Sequence, residues 1–283
     1  MRGLVTLLAL AGGCAAYDPI AEVPNKHREF ADTKSAIAAI LAEVTPPHVY
    51  AIGEYHPTRA SGVDRTPMTR FTDEIIGSLE PRAGEMIVET WHDDCGSGST
   101  APQLAAALNR PAATGGDIQR MVFESLRLRM HTRGLPISCL EHEAMRDPTG
   151  SIDFYRLLAM VTEKLHEATV AAVERGRASP RPAVIVYGGA LHNDLYPRWP
   201  LEQLSYAQPL ARELGGGVLE LDLVVPEVVA PMQMVRDEPW FPLLGRASPK
   251  RAIVWQRGPN SYVVILPAES EAVAEIAKPR HPS

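Results

Sequence analysis

The sequence predicts an α/β fold: a three-layer arrangement built on a largely parallel sheet, with helices on both faces and an antiparallel hairpin at the C-terminal end. Two observations carry this. Short β-branched runs at 48–52, 86–89, 137–140, 184–187 and 218–223 alternate with stretches of helical pattern at 28–44, 68–79, 118–133, 152–175 and 201–214. Alternation of this kind requires crossover connections, which set successive strands parallel. Two later runs, 252–255 and 262–266, flank Arg257-Gly258-Pro259-Asn260-Ser261, a turn-rich linker suited to an antiparallel pair on one sheet edge.

The elements follow in order. Arg2, an apolar run over 3–11 and small residues before Cys14 make the layout of a secretory signal over 1–16. The run falls short of the roughly 20 apolar residues that a membrane-spanning helix needs. Ala11-Gly12-Gly13-Cys14 resembles the lipobox of bacterial lipoproteins, with Ala11 where that motif prefers a branched apolar residue. The resemblance implies lipidation of Cys14, a cell-envelope location and, because Ala15 follows, the outer membrane in a Gram-negative host. Ordinary cleavage after Ala16, discarding Cys14, is the alternative. Residues 17–278 are expected to form a single domain, and 279–283 a disordered tail.

The net charge of −6 comes without any cluster of Lys and Arg, which argues against a nucleic-acid partner. Cys95 and Cys139 remain once Cys14 is set aside, and an exported compartment permits a disulfide between them; two free thiols are equally compatible. The segment 226–250 is proline-rich, contains Trp240 and Phe241 and has no period. It reads as a lid or as a packed surface excursion.

Charged residues gather where the first four predicted strands end: Gly53-Glu54-Tyr55-His56, then Glu89 through Asp94 with His92, then Glu141-His142-Glu143, then Gly189-Ala190-Leu191-His192-Asn193-Asp194. The carboxyl ends of parallel strands line one edge of a sheet, and ligands bind in the crevice outside them. Four clusters distant in sequence are thus expected to meet. Gly53 and Gly189 each stand three residues before a histidine, and glycine there permits a sharp turn and close backbone approach.

Strand-Gly-Glu-x-His, a glutamate ending the next strand and strand-Gly-x-Leu-His together resemble the superfamily of ChaN-type haem-binding lipoproteins, Tiki and TraB proteins and erythromycin esterases, over roughly 49–223. The lipoprotein start and Ile52-Gly53-Glu54-Tyr55-His56 look closest to the ChaN-type branch. The Tiki resemblance implies metal-dependent peptidase chemistry at the paired histidines. The erythromycin esterase resemblance implies hydrolysis by histidine and glutamate without an obligatory metal. The ChaN-type resemblance implies haem binding.

The residues themselves support two enzyme chemistries. With a divalent ion (Zn, Mn, Fe or Co), His56 and His192 supply nitrogen and Glu54, Glu89 or Glu141 oxygen, leaving a position for water. Without one, His56 takes a proton from water while Glu54 or Glu89 holds the imidazole. Of the adjacent pair Glu141 and His142, one points inward, with Glu141 preferred. Tyr55 and Tyr187 are candidate haem or oxyanion contacts, with packing as the alternative role. Asp93, Asp94 and Asp194 read as solvated or helix-capping residues. His27, His48, His131 and His166 lie away from the clusters, and Ser97 and Ser99 lack the strand-to-helix context of a serine nucleophile. The expectation is a lipid-anchored hydrolase acting on a small molecule or peptide, with a haem-binding lipoprotein as the alternative.

Overall fold

A computed structural model describes residues 27–59, 61–93 and 114–270. The signal segment with Cys14, the stretch carrying Asp94, Cys95, Ser97 and Ser99, and the tail 279–283 lie outside these residues. The strands are β1 (His27–Phe30), β2 (Val49–Glu54), β3 (Ala83–Asp93), β4 (His131–Ile137), β5 (Ala183–Gly189), β6 (Val218–Val224), β7 (Ala252–Gly258) and β8 (Ser261–Ile265). They form one sheet in the order β1-β7-β8-β6-β2-β5-β3-β4. From β8 to β4 all neighbours are parallel, while β7 runs antiparallel to both β1 and β8. The fold is thus mixed α/β with a largely parallel sheet and a C-terminal antiparallel pair.

Two apolar layers sandwich the sheet. On one face α1 (Thr33–Glu43), the broken helix of α2 (Pro67–Arg70) and α3 (Ile76–Leu79), and the 226–250 excursion bury Ile37, Phe71, Ile75, Trp240 and Leu244 against Ile52, Tyr187 and Leu221. On the other, α6 (Phe154–Gly176) and α8 (Ala207–Glu213) bury Leu157, Val161, Leu165 and Leu210 against Val49, Ala51 and Val186. Central strands covered on both sides read as near-continuous apolar runs, and every residue of β2, β5 and β6 is buried. Burial of a single Leu or Ile contributes about 1.5–3 kcal/mol, so these layers fix the strand ends that carry the site.

Several boundaries differ from the sequence expectation, for local physical reasons. The run at 137–140 is not a strand: β4 ends at Ile137, and Ser138 caps α5 (Cys139–Ala144) in a reciprocal capping box with Glu141. Helix α4 (Thr114–Arg127) stops short of 133, with Arg129 at φ 58° in the turn before β4. Residues 27–30 pair with β7 rather than opening the first helix. The 68–79 helix carries a π-helical turn over Phe71–Ile75, and 201–214 splits at Ser205 into a 3-10 turn and α8. The 226–250 segment packs as an excursion, with Trp240 fully buried. Cys139 is disulfide-bonded, with its partner outside the described residues. No described helix is long and apolar enough to cross a membrane.

Candidate active site

Strands β2, β5 and β3 are neighbours, so their carboxyl ends bring Glu54, Gly189 and Glu89 to one edge. Gly53 is the register partner of Gly188, and Glu54 that of Gly189. The glycines allow side chains to lie where a Cβ would stand. A Cβ on Gly188 would fall 2.8 Å from Glu89 Oε2; one on Gly189 would fall 2.9 Å from His56 Nε2 and 3.6 Å from His192 Cδ2. Both imidazoles and the Glu89 carboxylate therefore crowd around a single turn, Gly188-Gly189.

His56 is the open member, with its side chain 30% exposed while Glu54 and Glu89 are 3% and 9% exposed. Its Nδ1 lies 2.5 Å from Glu54 Oε1, so a carboxylate acceptor holds the proton on that nitrogen. The other Glu54 oxygen accepts a hydrogen bond from the Tyr187 hydroxyl. Nε2 is left facing Glu89, whose Oε1 lies 3.7 Å away. Glu89 in turn accepts from the backbone N–H of Gly189 at 2.7 Å through Oε2.

His192 sits on the four-residue helix α7 (Ala190–Asn193) and is buried. Its Nδ1 lies 3.0 Å from the Leu204 carbonyl and 2.9 Å from Thr162 Oγ1. A carbonyl only accepts, so Nδ1 carries the proton and Nε2 the lone pair. Burial pushes the imidazole below its ordinary range, against the opposing pull of Glu89. At neutral pH His192 is a neutral acceptor.

The other sequence candidates fall elsewhere. Glu141 belongs to the α5 cap, where it bonds Ser138 and pairs with Lys164 Nζ at 2.6 Å. Those partners hold its carboxyl at about 2, with the Lys164 hydrogen bond the largest cause. The reason for the misplacement is the capping box, which turns the chain into a helix before Glu141 can leave a strand. His142 is buried on the same helix. Tyr187 is 1% exposed with its hydroxyl on Glu54, so it supports the site from beneath. Tyr55 packs against Trp240 at 5.5 Å between ring centroids. Among the described residues no group of three His, Cys, Asp or Glu side chains is arranged to hold an ion. Of the residues expected as ion ligands, Glu141 is engaged by Ser138 and Lys164.

Sequence reasoning missed a second polar cluster beside the first. Glu220 and Asp222 on β6 are buried, and Arg257 on β7 spans them: its Nη1 lies 2.6 Å from Asp194 Oδ1 and 3.3 Å from Glu220 Oε1, and its Nη2 lies 3.4 Å from Asp222 Oδ2. The signal was present in Leu219-Glu220-Leu221-Asp222-Leu223, where two acids occupy one face of a strand that is apolar on the other. Asp194, expected as a loop or capping residue, is one of the acids held by Arg257.

The chain matches no family model, no curated protein and no solved structure.

Proposed function

We propose that the crevice is a general acid–base site that hydrolyses a carbonyl-derived bond, an ester or amide, in a small molecule or peptide. The observation that carries this reading is the ordered chain Tyr187 hydroxyl to Glu54 to His56 Nδ1, which turns His56 Nε2 toward Glu89 on a side chain that is 30% exposed. A water hydrogen-bonded to both His56 Nε2 and Glu89 Oε1 fits the 3.7 Å span between them. His56 takes the proton as the water oxygen attacks the carbonyl carbon, and Glu54 stabilises the imidazolium that forms. The tetrahedral intermediate then collapses, and His56 returns the proton to the departing alcohol or amine. Glu89, fixed by the Gly189 N–H, orients the water. The neutral Nε2 of His192 supplies a second acceptor for the water or for a substrate N–H. A positioned base of this type contributes typically about 10²–10⁴-fold in rate.

This is the chemistry that the resemblance to erythromycin esterases implies. The same proposal places the protein on the cell envelope through a lipid on Cys14, which Cys14→Ser should release from the membrane fraction. The functional test is hydrolysis of a panel of activated esters and amides by wild type, His56→Ala and Glu89→Gln. A rate above background that falls by about 10²-fold or more in His56→Ala supports the reading. Equal rates in all three proteins reject it. A Soret shift on haem titration with no hydrolysis would replace it by a binding role.

A further inference from the structure

The register of the sheet sets up one row across three adjacent strands, Asp222 on β6, Gly53 on β2 and Gly188 on β5, with Glu89 leaning in from β3 on the far side. Glu89 fills the missing Cβ of Gly188. Asp222 does the same for Gly53: a Cβ there would fall 2.2 Å from Asp222 Oδ1 and 2.8 Å from Ala190 Cα. The Asp222 carboxyl is therefore wedged where the first Gly-x-x-His turn meets Ala190, the second residue of the other. No substituent larger than hydrogen fits on Gly53.

Asp222 is itself tied to the far end of that second turn. Arg257 joins it to Asp194, two residues beyond His192. Glu220 Oε2 accepts from the N–H of Leu195 at 3.0 Å, and Asn193 Nδ2 donates to the Ile52 carbonyl at 2.7 Å. Arg257 also bridges Asp222 to Glu220, with Nη2 3.4 Å from Asp222 Oδ2 and Nη1 3.3 Å from Glu220 Oε1. From this geometry we infer that Asp222, clasped by Arg257, is a positioning residue that sets the spacing of His56 and His192 by wedging their two turns together. Its contacts run to Arg257 and to the space at Gly53. The inference deepens the hydrolytic reading and rests on it for its kinetic arm only.

A planar group that fills the space at Gly53 and accepts from Arg257 through one oxygen is matched by asparagine and not by alanine. The experiment compares Asp222→Ala and Asp222→Asn, reading the imidazole signals of His56 and His192 by proton–carbon NMR together with kcat and KM. In Asp222→Ala both sets of imidazole signals are expected to move, and kcat to fall by roughly ten- to a hundredfold with KM nearly held, as follows from misplacing reacting groups by a fraction of an ångström. Asp222→Asn is expected to restore both. A folded Asp222→Ala protein whose two imidazole signals overlay those of wild type overturns the inference, and so does an Asn variant as displaced as the Ala one. If Asp222→Ala does not fold, Arg257→Lys, which keeps the cation and shortens its fork, is read in the same way. If wild type hydrolyses nothing, the functional reading fails while the NMR comparison still decides the positioning role.

Discussion

Two polar clusters stand side by side on the carboxyl half of the same sheet, and each combines carboxylates with a nitrogen base. In the first, Glu54 and Glu89 surround His56, which is 30% exposed. In the second, Glu220 and Asp222 are 1% and 2% exposed and are held with Asp194 by Arg257. The difference lies in the base. A guanidinium stays charged at any physiological pH and presents a rigid fork to several acids, so it clasps. An imidazole changes protonation near neutrality, so it can pass a proton onward. Neighbouring strands thus carry the same acidic chemistry to opposite ends, one closed and structural, the other open.

The largest effect should come from breaking the clasp. Arg257→Met would leave Asp194, Glu220 and Asp222 without the cation that compensates them. Removing one partner of a buried ion pair typically costs about 3–5 kcal/mol. Urea denaturation should show that loss for Arg257→Met and a smaller one for His56→Ala, which removes a single partner, itself 30% exposed, from one buried carboxylate. Equal losses for the two variants would erase the distinction between clasp and crevice.

The second cluster should also give folding a pH dependence. Burial raises Glu220 to about 7, opposed by Arg257 and reinforced by Asp194; Asp222, Ser261 and the Leu195 N–H also face it. A carboxyl raised on folding binds more protons in the native than in the unfolded state. Its contribution is therefore complete below the unfolded value near 4.5 and is lost as pH rises through about 7. Buried His192, lowered on folding, acts in the opposite sense over this range, so the comparison is with a variant. In thermal unfolding between pH 5 and 8, Tm should fall more steeply, or climb less, in wild type than in Glu220→Gln. Parallel Tm profiles for the two proteins would show that Glu220 binds no extra proton on folding.

A third effect tests the support beneath the crevice. Tyr187→Phe removes the hydroxyl that donates to Glu54 while keeping the ring against Phe71, 4.8 Å between centroids. A hydrogen bond to a charged acceptor is worth about 1.5–3 kcal/mol. If Glu54 then holds His56 less firmly, kcat should fall by about tenfold with KM unchanged. A change in KM alone would place Tyr187 on the substrate side instead.

Periodicity carried the fold because it is imposed by burial: β2, β5 and β6, covered on both faces, appear in the sequence as apolar runs. The convergence of Glu54, His56, Glu89 and His192 was legible for the same reason, since parallel strands deliver their carboxyl ends to one edge. Local chemistry hid the rest. Pro136 and Gly134 obscure β4, an edge strand where both are tolerated. The Ser138 cap moved Glu141 from a strand end to a helix. Arg257 sits in what reads as a hairpin linker; it falls at the register shift of β7 against β8, and its side chain reaches past β8 to the acids of β6. Acids on β6 were readable as a period-two exception, but their partner was a tertiary fact.

The smallest expected effect concerns Glu141, and it separates the two explanations for a carboxylate in this region. As a site residue it would matter to chemistry; as the N3 member of the α5 capping box it matters only to one short helix. Its carboxylate accepts from the Ser138 N–H and hydroxyl and pairs with Lys164 at 2.6 Å, yet its side chain is 38% exposed. Solvent screens such a pair, which leaves about 0.2–1 kcal/mol, and the cap adds a comparable amount. Glu141→Ala should therefore lower stability by about 1 kcal/mol and leave hydrolysis unchanged. Because partners hold the carboxyl at about 2, that contribution is present above the unfolded value near 4.5 and is lost only as pH falls toward 2. Denaturation at pH 7 and pH 3 with matched rate measurements checks both halves: a drop in kcat at full stability would return Glu141 to the crevice.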